Sequence, residues 1–573
     1  MIINIIIHIF IFSLFFLVPI GFGIFLKKII LDNYEFGVGE YGVFGFLLIF
    51  FLSQLVHIFF PINLFISSIL ILFGISYFVL NFSKIRNELF LFLKSYGLIF
   101  VFALIASITI NLHDDVYLYQ LPKLNYLQQS KLVFGIINLN DFLGFNVGFY
   151  EIMAIFQIPF FQNQFTYILP VIFLIYFIFF LRKNLFETSH SLIKIFIYIV
   201  LFILLLRFSR SKEYGADIPV LCSMFMAQIY VLKYFFSREI SLIYKSILII
   251  PFSIFLKVYA IFSVLLFIIF ISYEKRIDFL FKEKRLLMFI CFFTIITLGK
   301  NVAQTGCVFY PTPITCLTQN SAKWSIGKDL SKQRSEYLEA STKGLKAHIR
   351  NNNYQYIEPA KFLKKYKYSY FKNILKDSDF ERMSVVFGII ILVFFQTIRK
   401  NNESIKINSY KNQAPIILVS SALFLLWLTM IPHLRYGGYN YITFFIFTFL
   451  SYFNLFKYFN LKNLNIILVI CCIYFLTKNL NRIKKEYLLN SNNYPVINFK
   501  KFKFLENKIN DISIKTPLES LYCGNISFLC SSSVNMIKNI YFKGSYLFIE
   551  PNNNGIKTFF DETEKSEAYI LNK

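Results

Sequence analysis

Residues 111–150 read NLHDDVYLYQLPKLNYLQQSKLVFGIINLNDFLGFNVGFY. An apolar run, Tyr96–Ile110, leads into this stretch, and another begins near Phe149. Adjacent acids, Asp114 and Asp115, therefore stand where the chain leaves hydrocarbon, at the depth of lipid headgroups and of any lipid-linked phosphate. A carboxylate there can accept the proton of an attacking hydroxyl or help to bind a divalent ion. As an ordinary helix-end acid it would simply be solvated. His113 could assist, although a lone interfacial His more often only hydrogen-bonds, and Asp141 is the natural second acid of the loop. The stretch reads as the active-site loop of a membrane enzyme.

Outward from the loop, the chain is mostly apolar helix. Of its 573 residues, 57% are hydrophobic, 20% aromatic and only 16% charged, with a mean hydropathy of +0.58. These values exclude an ordinary soluble domain. Apolar runs fall near 2–20, 43–59, 62–80, 95–111, 147–162, 165–182, 192–208, 216–235, 246–272, 286–299, 384–398, 413–431, 440–457 and 464–478. They predict an all-α polytopic integral membrane protein of about 12–14 transmembrane helices. The first run lacks a basic leader and a small-residue cleavage site, and reads as a retained span. The net charge of +26 does not indicate nucleic acid, because the Lys and Arg cluster in loops between spans, next to anionic lipid.

Lys and Arg in short loops set the orientation. Lys27, Lys28, Lys84, Arg86 and Lys94 are expected in the cytoplasm, as are Lys233–Lys245, Lys275–Arg285, Arg399, Lys400, Lys457 and Lys462. Residues 111–150 then form the first large external loop, and 300–383 a long external loop with helices expected near 328–350 and 358–378. The polytopic domain is expected over 1–478 and a small external α/β tail over 479–573. Arg182 and Lys183 conflict with this scheme if two full crossings lie between Phe149 and Leu181. Either Phe149–Phe161 is re-entrant, or the 246–272 run crosses once rather than as a hairpin. Cys222, Cys291, Cys471 and Cys472 lie in apolar runs and read as inert thiols. The pairs Cys307/Cys316 and Cys523/Cys530 lie in polar external segments and suggest two local disulfides, the alternative being four free thiols.

Further residues carry candidate chemistry. Lys257 lies inside PFSIFLKVYAIFSVLLFII, where an ammonium is costly unless it faces protein or water, or snorkels. It could partner a phosphate or an Asp. RFSRSKEYGADIPV, residues 207–220, brings Arg210 and Asp217 to the start of a helix, where Asp217 suits the N-cap and Pro219 the first turn. In IPHLRYGGYN, residues 431–440, Arg435 stands beside two glycines that permit close approach of a ligand, or simply make a tight turn. GCVFYPTPITCLTQNSAKW, residues 306–324, reads as a rigid frame. No Walker A loop, dinucleotide fingerprint, GxSxG or HExxH is present.

The pattern D-x-x-L-Y, L-P, then G-I-I-N-L-N-D-x-L-G-F-N spans Asp115 to Asn146. It resembles a bacterial group of polytopic proteins within the GT-C glycosyltransferase-like superfamily. Asp115, Tyr119, Gly135, Asn138, Leu139, Phe145 and Asn146 match that group's motifs. Gln120 and Asn140 stand where His is usual, and Phe142 where Arg is usual. GADIP at 215–219, the Lys257 helix, G-x-x-x-Y-P at 306–311 followed by Trp324, and Arg435 look similar in order. In typical GT-C enzymes the acids follow the first span; here three apolar runs precede the span that leads into them.

The resemblance implies a GT-C-like glycosyltransferase that moves a sugar from a polyprenyl-phosphate donor to a cell-surface glycan or lipid acceptor. Asp115, with Asp114, would be catalytic. His113, Tyr119, Asn138, Asp141, Asn146, Arg210, Asp217, Lys257 and Arg435 are the candidate substrate-binding residues. No cofactor is demanded, although Asp114 and Asp115 are candidate ligands for Mg or Mn. The expected partners are the lipid-linked donor, the acceptor and membrane lipids, not nucleic acid. The expected location is the bacterial inner membrane, with the site facing outward. Rival expectations are an O-antigen-type polymerase, a flippase or transporter of lipid-linked sugars, and a non-catalytic assembly subunit.

Overall fold

The computed structural model describes residues 2–108, 114–145, 147–158, 161, 163–207, 214–274, 279–345, 348–349, 357–366, 388, 414–452, 461–489, 495, 499–518, 520–526 and 528–557. His113, Asn146 and Arg210 lie outside them, as do the expected span at 384–398 except residue 388 and most of the helix expected near 358–378.

Long apolar stretches fold as helices because a helix satisfies every backbone group within itself, as hydrocarbon requires. Among the described residues, six helices are long and apolar enough to cross a membrane, or seven if a pair bent by 82° counts as one span. In chain order the helices are α1 (Ile2–Ile30), α2 (Val38–Phe59), α3 (Leu64–Leu80), α4 (Phe82–Ile108), α5 (Leu121–Gln129), α6 (Phe149–Ile155), α7 (Leu169–Glu187) and α8 (Ser191–Arg207). There follow α9 (Asp217–Ser237), α10 (Ile240–Leu256), α11 (Leu266–Glu274), α12 (Phe279–Lys282), α13 (Lys284–Thr305) and α14 (Gly327–Thr342). Apolar helices also cover Ala414–Met430 and Leu461–Leu489, with a further helix at Tyr439–Tyr452. The fold is thus mainly helical and polytopic. α1, α2 and α3 pack at close range through small residues, as membrane helices do. A Cβ on Gly21 would strike the Gly74 carbonyl, and one on Gly45 the Pro19 carbonyl.

Among the described residues of the run at 147–162, only the seven of α6 are helical, too few to cross a membrane, and they are buried. The run at 246–272 is a hairpin. α10 ends at Lys257, whose φ of −156° is extended, and a 3-10 turn (Val258–Leu265) leads into α11. The return is fixed at the far end, where Tyr234 donates to Glu274 and Arg238 lies 4.0 Å over the Tyr273 ring. A short buried segment and a hairpin together remove the parity conflict at Arg182. Lys300 lies within α13, so the long loop begins at Gly306 rather than 300. The final helix continues to Leu489, past the boundary expected at 478.

The helices share two polar ends. One gathers the α1–α2 and α9–α10 turns with α11–α13. There Lys245 lies 2.9 Å from Glu40, Tyr34 donates to Glu283 at 2.9 Å, and the Val38 amide donates to Glu88 at 2.9 Å. The other end carries residues 114–145, the segment after α13 and the tail. Helix α14 falls in the region expected at 328–350 but ends at Thr342.

Among its described residues the tail holds two antiparallel hairpins, β1 (Phe504–Ile509) with β2 (Ile512–Pro517) and β3 (Ile537–Lys543) with β4 (Tyr546–Pro551), and a short helical turn at 553–557. The first turns through Asn510 and Asp511, both left-handed, which two-residue hairpin loops require. Cys307 is bonded to Cys316 and Cys523 to Cys530.

Candidate functional site

The loop 114–145 is clasped between the helices and the tail. The Phe134 amide donates to Leu547 O at 2.9 Å and the Ile549 amide to Phe134 O at 3.0 Å, so the loop adds a bridge to the edge of β4. Phe134 stacks on Phe548 with ring centres 4.4 Å apart. Gly135 follows at a φ of +73°, and a Cβ there would strike the Ile549 carbonyl, so glycine is required. Asn138 is fully buried and donates through its amide to Trp324 O at 2.9 Å and Ile549 O at 2.8 Å. It braces three segments together. Asp141 is likewise committed. Its carboxylate is 2.8 Å from Arg334 Nε on α14, with both side chains buried.

Arg334 was not singled out in the sequence, since it sits among several charged residues of a polar helix. Its guanidinium lies 4.6 Å over Phe142. Phe142 in turn stacks on Tyr119 at 5.3 Å and 13°. Burial raises the Tyr119 phenol well above its ordinary value; the Asp115 and Asp217 carboxylates push the same way and Arg435 opposes. Tyr119 therefore lies within the field of all three charges. Asp115 and Asp114 sit just before the π-turn Val116–Gln120, Asp115 half-buried and Asp114 exposed. Both acids act on the tail: burial raises the Tyr522 phenol, and Asp114 and Asp115 add to that shift.

Beside Tyr119 lies the ion cluster of the site. Lys257, at the hairpin tip, donates to one oxygen of Asp217, and Arg435 Nε donates to the other. Asp217 is the first residue of α9, whose N-cap is Ala216 rather than Asp217 as expected. Its carboxylate is spent on the two cations instead. Two cations facing one carboxylate leave the cluster with net positive charge. Arg435 is 42% exposed, against 17% for Lys257 and 9% for Asp217, so Arg435 is the member open to an incoming anion. Its position follows from a break in the chain: Gly437 takes φ +83°, and the His433 ring accepts from the Arg435 amide at 3.2 Å.

A second buried polar group lies nearby. Lys300 of α13 is 3.0 Å from Glu151 of α6, and Lys123 donates to Leu143 O at 2.8 Å and Gln304 at 3.2 Å. Burial pushes Lys123 down from 10.5 to about 8, and Lys300 adds to the fall. The signals available for this group were Glu151 inside an apolar run and Lys300 at the end of another.

Successive residues on a helical backbone diverge by about 100°, so the side chains of Asp114 and Asp115 leave the chain in different directions. Among the described residues, no group of three or more His, Cys, Asp and Glu side chains could hold a metal.

A family model described as a domain of unknown function, DUF8201, matches residues 1–443. The chain belongs to the DUF8201 family. No curated protein and no solved structure matches it. The DUF8201 match takes in Asp115, Tyr119, Asp217, Lys257 and Arg435 and stops before the last helix and the tail.

Proposed function

We propose that this protein is a GT-C-like membrane glycosyltransferase that moves a sugar from a polyprenyl-phosphate donor to a cell-surface glycan or lipid acceptor. The observation that carries the reading is the Asp217–Lys257–Arg435 ion cluster at the polar end of an apolar bundle, the end that also bears Tyr119 and Asp115. An acceptor hydroxyl gives its proton to Asp115 as its oxygen bonds to the anomeric carbon. The bond from that carbon to the phosphate oxygen breaks, and the polyprenyl phosphate leaves with the electron pair. Arg435 meets the phosphate charge first, because it is exposed, and Lys257 adds positive potential behind it. Asp217 positions both cations. Preorganised cations at a developing phosphate charge are an effective form of transition-state stabilisation. The basic end of the bundle is then cytoplasmic and the acid loop external, in the inner membrane of a bacterium.

The test is binding and turnover of a panel of radiolabelled polyprenyl-phosphate sugars by the full chain in liposomes. Arg435→Met should weaken donor binding and leave the protein folded. Unchanged donor affinity in R435M would remove the cluster from the donor site.

A further inference from the structure

An apolar cavity of about 350 Å³ lies between α4, α7, α8 and the helix Leu461–Leu489, away from the ion cluster. Ala106, Val171, Leu201, Leu204, Leu468 and Phe475 are among its walls. Two cations, Arg182 and Lys194, also line it. Both lie beside the α7–α8 turn, at the basic end of the bundle. Between Val171 and Arg182, α7 rises by about 17 Å at 1.5 Å per residue. That is about half of a hydrocarbon core of roughly 30 Å. The cavity thus has the depth of one leaflet, apolar walls along that depth, and positive charge where a headgroup would sit.

Ordinary interfacial cations snorkel into water and need no ligand. Here both cations share a cavity with apolar side chains, and the polarity of the lining matches a single amphiphile. We propose that this cavity is a binding site for an anionic phospholipid of the basic-end leaflet. An acyl chain fills the apolar part and the phosphate meets Arg182 and Lys194. A polyprenyl chain is much longer than the cavity and is not the occupant. The proposal does not depend on the transferase reading, because the cavity is lined by none of Asp115, Tyr119, Asp217, Lys257 and Arg435.

Thermal unfolding of the detergent-solubilised full chain, with native mass spectrometry of retained lipid, tests this. Added phosphatidylglycerol should raise the melting temperature and phosphatidylcholine should not. Each cation near a lipid surface is worth roughly a fivefold preference, so R182Q/K194Q should weaken phosphatidylglycerol binding by about 30-fold. Leu201→Trp, which fills the cavity without touching the charge, should also abolish the shift. K484Q/K485Q removes two cations from the opposite end of the last helix and should keep it. Equal stabilisation by the two phospholipids, a shift that survives R182Q/K194Q, or a larger shift with polyprenyl phosphate would each overturn the proposal.

Discussion

Asp217 serves two cations at once, and its loss would remove the carboxylate that Lys257 and Arg435 share. Removing one partner of a buried pair costs about 3–5 kcal/mol, whereas removing both charges of the pair can be nearly neutral. Asp217→Asn should therefore lower the melting temperature, and D217N/K257M should recover much of the loss. A double variant no more stable than D217N would show that Lys257 is not the source of the strain. Lys123 makes a pH-dependent contribution. Its folded value of about 8 lies below the ordinary 10.5, so the native state holds fewer protons than the unfolded chain between those values. Stability contributed by this group rises with pH across that window, and the penalty of burying the ammonium is fully present below it. The span corresponds to about 3 kcal/mol. Melting curves at pH 7 and pH 9.5 should differ in that direction, and Lys123→Met should flatten the difference.

Among the secondary-structure elements, two devices position the site. The α10–α11 hairpin lifts Lys257 to its tip, where an unbroken helix would have held it in hydrocarbon. Helix α14 is tied to the acid loop through Arg334 and Asp141, and the Arg334–Phe142–Tyr119 stack runs from that tie to the site. Arg334→Ala leaves Asp141 buried without its partner, at a cost of about 3 kcal/mol or more. Limited proteolysis should then cut the segment following Gly306 faster than in the wild type. Unaltered cleavage would show that the tie does not hold α14. Much of this was readable from the chain. Lys257 in an apolar run, Asp217 at a helix start and Arg435 beside two glycines each broke a local pattern. Their meeting was not readable, since Asp217 lies 218 positions from Arg435 and periodicity says nothing about partners so far apart. The run at 147–162 left two readings open, a crossing or a re-entrant segment, for a related reason: hydropathy does not separate burial in protein, which holds for Phe149–Ile155, from passage through lipid.

Across the whole molecule, apolar helices separate a basic end from an end that bears the acid loop and the tail. Composition predicted this division, because long apolar runs and clustered Lys and Arg reflect the solvent each segment meets. It did not predict that the tail would clamp the loop, because those contacts join residues about 400 positions apart through a backbone bridge and single side chains, such as Phe134 to Phe548 and Asn138 to Ile549. The orientation can be tested with exposed positions. Asn320→Cys and Ser545→Cys should react with an impermeant thiol reagent on intact cells, and Asn33→Cys only after permeabilisation. The reverse pattern would place the acid loop in the cytoplasm, where the proposed external transfer could not occur.

The central claim is that Asp115 takes the proton of the acceptor hydroxyl at headgroup depth. Asp115→Asn keeps the size of the side chain and removes its basicity, and general-base assistance is worth about 10²–10⁴-fold. The most direct measurement is sugar transfer from polyprenyl-phosphate donor to acceptor by liposome-reconstituted wild type and D115N, matched for insertion and melting temperature. The account predicts a loss of turnover within that range with donor binding retained; turnover by D115N close to that of the wild type would contradict it.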